Sequence, residues 1–295
     1  NDYTTQSGFQ ISTLQLSYQL FGLELGTAPV VLVNHALTAN SNVVGENGWW
    51  KEVIGNGKTI NTKKFTVLAF NVPGNGFDGL LIDNYKDFVA KDIANLFLYA
   101  LKKLKICKLH AIIGGSLGGG IAWRYTARYP NKVSKLILID ASGYAIKAQS
   151  TPIAFQLAKI PIIKNLFTYI TPKFIARKSV ENVYADITKV NDTLVERYFE
   201  LALRAGNRQA FIDRLSVEND INGSEKIKSI TQNTLILWGE KDKLIPTEVA
   251  LKFHKDLPNN ILVILNGLGH VPMEENPDKS LVPVLEFLRD TNTLF

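Results

Sequence analysis

The stretch from Leu109 to Tyr129, LHAIIGGSLGGGIAWRYTARY, decides the fold of this chain. It begins as an apolar run, passes through the turn Gly114-Gly115-Ser116-Leu117-Gly118, and continues with the spacing of a helix. We therefore predict a strand, a sharp turn with Ser116 at its apex, and a helix. Such a turn strains the apex residue and leaves no room for side chains two positions before and after it, which explains the glycines at 114 and 118.

The predicted turn has a chemical consequence. It would place the Ser116 hydroxyl beside the unpaired N–H groups of a helix N-terminus, so that a nucleophile and an anion-binding site lie next to each other. A glycine-rich phosphate-binding loop is the alternative interpretation of the same residues. Such a loop carries a lysine after its last glycine, whereas Ile121 follows Gly120 here.

Composition excludes several other classes of protein. The chain has 295 residues and one cysteine, Cys107, which excludes an internal disulfide framework and a cysteine-rich zinc site. No apolar run reaches the roughly 18 residues of a membrane span, so we predict no integral membrane segment. No basic-then-apolar leader opens the chain, which favours a cytoplasmic protein, although a first residue Asn1 leaves the earlier removal of a leader open.

The net charge of +6 is unevenly distributed along the chain. Six basic residues and no acidic residue lie between Ala141 and Val180, namely Lys147, Lys159, Lys164, Lys173, Arg177 and Lys178. A solvated helical face is one interpretation of this segment, and a surface that meets an anionic substrate or a membrane is the other. We predict no nucleic-acid partner, and the oligomeric state stays unknown at this stage.

Hydrophobic periodicity predicts an α/β fold with a mostly parallel central sheet flanked by helices. Alternation over Phe9 to Gly22 indicates a half-buried strand in an antiparallel hairpin, and continuous apolar runs indicate buried strands at 28–33, 65–71 and 133–139. Two further strands are predicted at 234–238 and 261–265. Helical spacing covers 87–105, 247–257 and 279–288. From residue 142 to residue 230 the pattern is helical throughout. We therefore predict a core of residues 1–141 and 231–295, with residues 142–230 inserted as a helical cap.

A serine nucleophile needs a base, and the base needs an acid that holds its tautomer. His270 follows the last predicted strand in a flexible loop and is the expected base, because His110 begins a strand and His254 lies within a helix. Asp242 follows the preceding strand at the same edge of the sheet and is the expected acid. Two other carboxylates, Asp140 and Glu240, remain alternatives for that role.

Acyl transfer also needs N–H donors for the negative oxygen that develops in the transition state. One expected donor is the amide of Leu117 at the start of the predicted helix. The second is expected in the turn after the strand that ends near Asn34, at the amide of Leu37. His35 would brace that turn, and a direct role for His35 in proton transfer is the less favoured alternative.

Several of these residues occur in segments with a family resemblance. The turn around Ser116, the segment GEKD at 239–242 and the segment GHVPMEENP at 269–277 resemble the α/β-hydrolase superfamily over nearly the whole chain. Within the first 120 residues, further segments are similar to homoserine O-acetyltransferases: NHALTANS at 34–41, GWW at 48–50, GKTI at 57–60 and NVPG at 71–74. The chain departs from those transferases at Val271, because they typically place an aspartate after the catalytic histidine. It is also shorter than they usually are.

The residues and the resemblance together predict a serine hydrolase that cleaves a small carboxylic ester or related acyl compound. Ser116 would attack, with His270 and Asp242 completing the triad, and no metal or organic cofactor is expected. The alternatives are an acyltransferase that uses acetyl-CoA and an amino-acid hydroxyl, and a non-catalytic small-molecule binder. Aspartate-nucleophile branches are disfavoured by Ser116. Trp49 and Trp50, with Phe155, Phe167 and Tyr169, would either line an acyl pocket or belong to the core.

Overall fold

The computed structural model of the chain describes residues 3–80, 82, 87–145, 148–157, 160, 169–204, 206–216 and 223–289. Seven of its strands form one sheet, in which non-consecutive strands are neighbours. The strands in chain order are β1 (Tyr3–Thr4), β2 (Gln10–Ile11), β3 (Tyr18–Gly22), β4 (Val30–Asn34), β5 (Ile54–Gly55), β6 (Ile60–Asn61), β7 (Thr66–Phe70), β8 (Leu109–Gly115), β9 (Val133–Ile139), β10 (Asn233–Gly239) and β11 (Asn260–Leu265). The large sheet has the order β11-β10-β9-β8-β4-β7-β3.

The large sheet is parallel except at one edge. Its strands pair in parallel from β11 to β7, and β3 pairs antiparallel with β7. All residues of β4 and β7 are buried, as are most residues of β8 and β9. Burial on both faces is the reason for the continuous apolar runs in these strands. The predicted α/β fold with a mostly parallel central sheet is confirmed.

The helices cover both faces of this sheet. In chain order they are α1 (Ala90–Lys103), α2 (Leu117–Arg128), α3 (Ile153–Leu157), α4 (Lys173–Val183), α5 (Asp192–Leu203), α6 (Asn207–Ser216), α7 (Thr247–Asp256), α8 (Pro272–Glu275) and α9 (Pro277–Arg289). Helices α1, α2 and α7 pack with Leu32 and Ile112 on one face. Helix α9 packs with Val31 and Ile113 on the other face, so successive residues of one strand enter opposite cores.

The N-terminal strand prediction was wrong in its extent and in its partner. The half-buried pattern holds over β3, but β2 is a separate short strand paired with β1. Instead of closing a local hairpin, β3 pairs with β7, where Tyr18 lies opposite Phe70 and Gly22 opposite Thr66. The reason is that alternation of apolar and polar residues reports which face of a strand is buried and carries no information about the partner strand.

One lysine is buried between the sheet and α9. Lys135 on β9 is 2% exposed, and its Nζ donates hydrogen bonds to the carbonyl of Phe287 at 2.7 Å and to that of Leu288 at 3.4 Å. These carbonyls belong to the last turn of α9, where the helix leaves acceptors without partners and its dipole favours a cation. The lysine therefore fixes the end of α9 against the sheet.

All regular elements that the structure describes between β9 and β10 are helices, namely α3 to α6 and the short 3-10 helices Ile187–Lys189 and Ser224–Ser229. The limits of the cap at 142 and 230, and of the core at 1–141 and 231–295, stay predictions. Among the described residues, each helix is too short or too polar to span a lipid bilayer.

The basic residues of this helical region are largely compensated by acidic neighbours. Lys173 and Arg177 of α4 form ion pairs with Glu196 and Asp192 of α5, and Lys178 pairs with Glu181 at 2.7 Å. Exposed pairs of this kind contribute little to stability, but they reduce the positive potential of the surface. This arrangement favours the solvated helical face over an anion-binding surface. Lys147, Lys159 and Lys164 lie outside the described residues.

Candidate active site

Ser116 stands at the sharp turn between β8 and α2, as the glycine pattern predicts. Its φ is +52°, a left-handed conformation that is strained for a residue with a side chain. A Cβ at Gly114 would lie 2.3 Å from the carbonyl oxygen of Gly118, and a Cβ at Gly118 would lie 2.1 Å from that of Asn34. The two glycines therefore allow the turn to close against both the start of α2 and the end of β4.

Three side chains from distant parts of the chain meet above the carboxyl edge of the sheet. The Oγ of Ser116 lies 3.0 Å from Nε2 of His270, and Nδ1 of His270 lies 2.7 Å from Oδ2 of Asp242. Ser116 follows β8, Asp242 follows β10 and His270 follows β11, so each side chain comes from a loop at the same edge. The structure thus brings together the three residues that the sequence analysis selected.

Asp242 is buried and held by the backbone of its own loop. It is 2% exposed, and its Oδ1 accepts hydrogen bonds from the amides of Leu244 at 2.8 Å and Ile245 at 2.9 Å. These donors stabilise the carboxylate and orient Oδ2 toward His270. A carboxylate in this position fixes His270 with a proton on Nδ1, which leaves Nε2 as the acceptor facing Ser116.

The loop that carries His270 is tied to the helical region between β9 and β10. The amide of His270 donates to the carbonyl of Val183 at the end of α4, at 2.8 Å. A Cβ at Gly269 would lie 2.5 Å from that same carbonyl oxygen, so the close approach requires glycine. The position of the histidine therefore depends on the packing of α4 against the core.

Glu275 is a residue whose importance the sequence analysis missed. It is 3% exposed, and its carboxylate accepts hydrogen bonds from the amides of Gly269 at 2.8 Å, Asp186 at 2.8 Å and Ala185 at 3.2 Å. It thus joins the histidine loop to the segment that follows α4. The available signal was its place in the VPMEENP segment, which by itself distinguishes neither Glu274 from Glu275 nor a structural role from a catalytic one.

The two alternative acids occupy different positions. Asp140 is completely buried beside the candidate triad, and its Oδ1 accepts a hydrogen bond from the amide of Gly239 at 2.9 Å. Burial, followed by the charge of Asp242, raises the pKa of Asp140 well above its usual value. Glu240 is exposed and accepts from the amide of Gly267 at 2.8 Å. Asp242 is therefore the carboxylate bonded to His270.

The described residues contain one group with the spacing of metal ligands, and it overlaps this site. One ligand atom each from Asp140, Asp242 and His270 lies within 4.8 Å of the others. Asp242 already occupies Nδ1 of His270, and its other oxygen accepts two backbone amides. We therefore interpret the group as a hydrogen-bonded acid–base cluster.

His110 and His254 lie away from the Ser116 edge. His110, the second residue of β8, stacks on Phe65 with ring centroids 5.3 Å apart. His254 is exposed on α7, and its Nδ1 contacts Oδ1 of Asn260 at 2.6 Å.

His35 is 1% exposed, with Nδ1 donating to the carbonyl of Ala36 at 2.7 Å and Nε2 accepting from the amide of Val72 at 2.9 Å. Both ring nitrogens of His35 are hydrogen-bonded, which agrees with the predicted role of this side chain in bracing the turn after β4.

The buried His35 predicts a pH dependence of stability. Burial lowers its pKa from 6.5 to about 4, so between these values the unfolded chain binds a proton that the folded chain does not. The stabilising contribution is complete above pH 6.5 and is lost as the pH falls toward 4, by at most about 1.4 kcal/mol per pH unit. Urea unfolding at several pH values should show a flatter profile for His35→Gln, and parallel profiles for the two proteins would contradict the assignment.

The two predicted oxyanion donors are the amides of Leu117 and Leu37. Leu117 is the first residue of α2, where the amide has no acceptor within the helix. Leu37 lines the same cavity as Ser116 and His270. The role of these two amides stays a prediction.

A cavity of about 180 Å³ opens above Ser116 and His270. Its wall is mostly apolar and combines the loops after β4 and β8 with residues of α3 to α6. Trp49, Trp50 and Phe155 line this cavity, as the acyl-pocket hypothesis predicts. Tyr169 is not among the lining residues and is 78% exposed, and Phe167 lies outside the described residues.

The sheet order, the helices on both faces and the serine at a strained strand-to-helix turn define an enzyme of the α/β-hydrolase class. The chain belongs to the alpha/beta hydrolase fold family, whose model matches residues 29–277. The resemblance found in the sequence is thus confirmed at the level of the superfamily.

The chain is similar to individual hydrolases and to an acyltransferase. It is 27% identical over 233 residues to an uncharacterized hydrolase of Bacillus subtilis named YugF, covering 77% of this chain and 81% of that protein. It is 37% identical over 185 residues to a homoserine O-acetyltransferase of Methanobrevibacter ruminantium, covering 55% of this chain but only 36% of that protein. A solved meta-cleavage product hydrolase of Pseudomonas fluorescens IP01 has the same fold, with a TM-score of 0.74, 21% identity, and coverage of 99% of this chain and 98% of that chain.

Proposed function

We propose that the protein is a serine hydrolase that cleaves a small carboxylic ester or related acyl compound through an acyl-enzyme. The observation that carries this proposal is the continuous chain of hydrogen bonds from Ser116 through His270 to Asp242, with distances of 3.0 Å and 2.7 Å. This chain ends at a cavity that can receive an acyl group. A serine hydroxyl with a base in contact and an acid behind the base is an activated nucleophile.

The proposed reaction proceeds in two halves. In the first half, Ser116 Oγ forms a bond to the substrate carbonyl carbon while Nε2 of His270 takes the serine proton. His270 then delivers that proton to the departing alcohol as the carbon–oxygen bond breaks, and Asp242 stabilises the imidazolium. In the second half, water attacks the acyl-enzyme with His270 as the base, and the acid product leaves. The amides of Leu37 and Leu117 hold the negative oxygen in both halves.

An acyltransferase is the second candidate, and the similarity to homoserine O-acetyltransferases favours it. The first half-reaction would be the same, with acetyl-CoA as the donor, and an amino-acid hydroxyl would then replace water. Val271, which follows His270, is an apolar residue where those transferases typically carry an aspartate. Homoserine-dependent consumption of acetyl-CoA would identify the transferase. We favour the hydrolase because the cavity wall beside His270 is mostly apolar.

The proposal is tested by labelling with a fluorophosphonate, followed by mass spectrometry of the intact protein and peptide mapping. We expect one adduct, located on Ser116, and a strong loss of labelling in His270→Ala because the nucleophile then lacks its base. Heat-unfolded protein serves as the control for nonspecific labelling. No adduct on Ser116 across pH 6 to 9 would overturn the proposal and favour a non-catalytic binding protein.

A further inference from the structure

The mostly apolar cavity contains one acidic side chain besides its apolar wall, among the residues that the structure describes. Glu274 lies on the short helix α8, four positions after His270, and lines the same cavity as Ser116 and Trp49. It is not part of the candidate triad. A carboxylate in such a wall costs free energy unless it has partners, so its surroundings indicate its role.

One oxygen of Glu274 is held by two phenols. Its Oε2 accepts hydrogen bonds from the hydroxyl of Tyr198 at 3.1 Å and from that of Tyr184 at 3.3 Å. Burial is the main factor that raises the pKa of both phenols, so each remains a protonated donor. The other oxygen, Oε1, has no hydrogen-bond partner among the described residues. Glu274 is half-buried and its accessible surface faces the cavity.

The surroundings of Glu274 also contain a cation. Arg197 stacks on Trp49, with its guanidinium carbon 4.0 Å from the ring centroid, and Trp49 meets the ring of Tyr198 at 5.2 Å. Burial raises the pKa of Glu274 above its usual value, and the charge of Arg197, followed by the two phenols, offsets only part of this rise. Both phenols donate to Oε2, which leaves Oε1 free to accept a donor from a bound molecule.

We propose that Glu274 is a specificity residue, and that Oε1 binds a hydrogen-bond donor of the substrate, a hydroxyl or a protonated amine. The proposal rests on the proposed function, because it concerns substrates of the same site. A substrate with a methyl group at this place leaves Oε1 desolvated and without a hydrogen-bond donor, which selects against that substrate. The substrate class is therefore a polar acyl compound, although most of the cavity is apolar.

The cavity wall also contains a basic residue. Arg208 of α6 lines the cavity, and its Nη1 donates to the carbonyl of Tyr169 at 2.8 Å. An anionic substrate would be attracted to Arg208 and repelled by Glu274. The charge of the preferred substrate therefore shows whether Glu274 or Arg208 determines the specificity.

The test compares kcat/KM for esters of equal shape. The acyl series consists of p-nitrophenyl esters of 3-hydroxybutanoate, 3-aminobutanoate and 3-methylbutanoate, with the same three substituents repeated at carbon 6 of a hexanoyl chain. The alcohol series consists of 3-hydroxypropyl, 3-aminopropyl and butyl acetate. In at least one series we expect the wild type to prefer a donor-bearing ester over its methyl isostere by at least about tenfold, the factor of one hydrogen bond to a charged group.

Variants at position 274 test whether the preference for donor-bearing esters is due to the Glu274 carboxylate. Glu274→Leu should abolish or reverse the preference, whereas Glu274→Gln should keep part of the preference for the hydroxyl and lose that for the amine. Glu248→Gln, which removes an exposed carboxylate on α7, is the matched control and should change neither ratio. If Glu274→Leu fails to fold, Glu274→Gln and the wild-type ratios still decide the question.

The possible failures are distinguishable. Turnover that depends on Ser116 but shows no donor preference in any series, or shows the same preference in both variants, overturns this inference alone. A preference for an anionic ester, tested with a p-nitrophenyl ester that ends in a carboxylate, also overturns it and points to Arg208. No turnover of any ester, together with no adduct on Ser116, overturns the proposed function as well.

Discussion

Replacing Ser116 with alanine is expected to lower kcat for ester hydrolysis by about 10⁴-fold or more, because the acyl-enzyme then cannot form. The fold should be almost unaffected. The side chain makes one described hydrogen bond, to His270, and alanine has the same left-handed strain at φ +52° as serine. Stopped-flow or steady-state assays with p-nitrophenyl acetate measure kcat, and thermal unfolding measures the stability of the fold.

The matched control for this change is Ser229→Ala, in the 3-10 helix Ser224–Ser229. It removes a serine hydroxyl that donates to the carbonyl of Lys226, remote in sequence from the candidate triad. This control should hydrolyse the ester at the wild-type rate. A Ser116→Ala protein that retained more than a tenth of wild-type turnover would show that another group is the nucleophile.

Replacing Glu275 with alanine is expected to reduce the free energy of unfolding by about 2 to 6 kcal/mol. The change leaves the buried amide of Gly269 without an acceptor, at about 1 to 3 kcal/mol, and removes the acceptor of the partly buried amides of Asp186 and Ala185, at about 0.5 to 1.5 kcal/mol each. Since Gly269 precedes His270, turnover should fall in the fraction that remains folded. Urea unfolding monitored by tryptophan fluorescence measures the stability, and active-site labelling under native conditions measures the folded fraction that is competent.

The conservative variant Glu275→Gln serves as the control. Its amide oxygen can accept one or two of the three hydrogen bonds, so the loss should be clearly smaller than for Glu275→Ala. Equal stability of Glu275→Ala and wild type would mean that these hydrogen bonds contribute nothing net to the fold. Loss of stability without loss of turnover would mean that the bond to Val183 and the contact with Asp242 suffice to position His270.

The sequence predicted much of the sheet and the candidate triad for a common physical reason. Strands buried on both faces are continuous apolar runs, and the polar residue after each run must lie at the carboxyl edge. Ser116 and Asp242 follow strands of this kind, and His270 follows the apolar but partly exposed edge strand β11. Their proximity could therefore be inferred without any knowledge of side-chain positions. Gly114 and Gly118 were informative because a turn this tight leaves no room for a Cβ, and only glycine lacks one.

Other features could not be predicted, because they depend on contacts between segments distant in sequence. The partner of β3 is β7, and nothing in the alternation of β3 specifies that pairing. Asp140 and Asp242 both follow core strands, and only the orientation of their loops decides which one faces His270. Glu274 and Glu275 are adjacent in the sequence, yet one faces the cavity and the other binds three backbone amides.

The separation of the candidate triad along the chain has a consequence for the kinetics of folding. Ser116 and His270 are 154 residues apart, and the contact between them requires β10 and β11 to be added to a sheet centred on β8. Contacts of such long range form late, because the entropy of the intervening chain must be lost before they stabilise anything. A refolding chain will therefore regain its helices and much of its sheet before it regains a reactive serine. The appearance of fluorophosphonate reactivity would report the last stage of assembly.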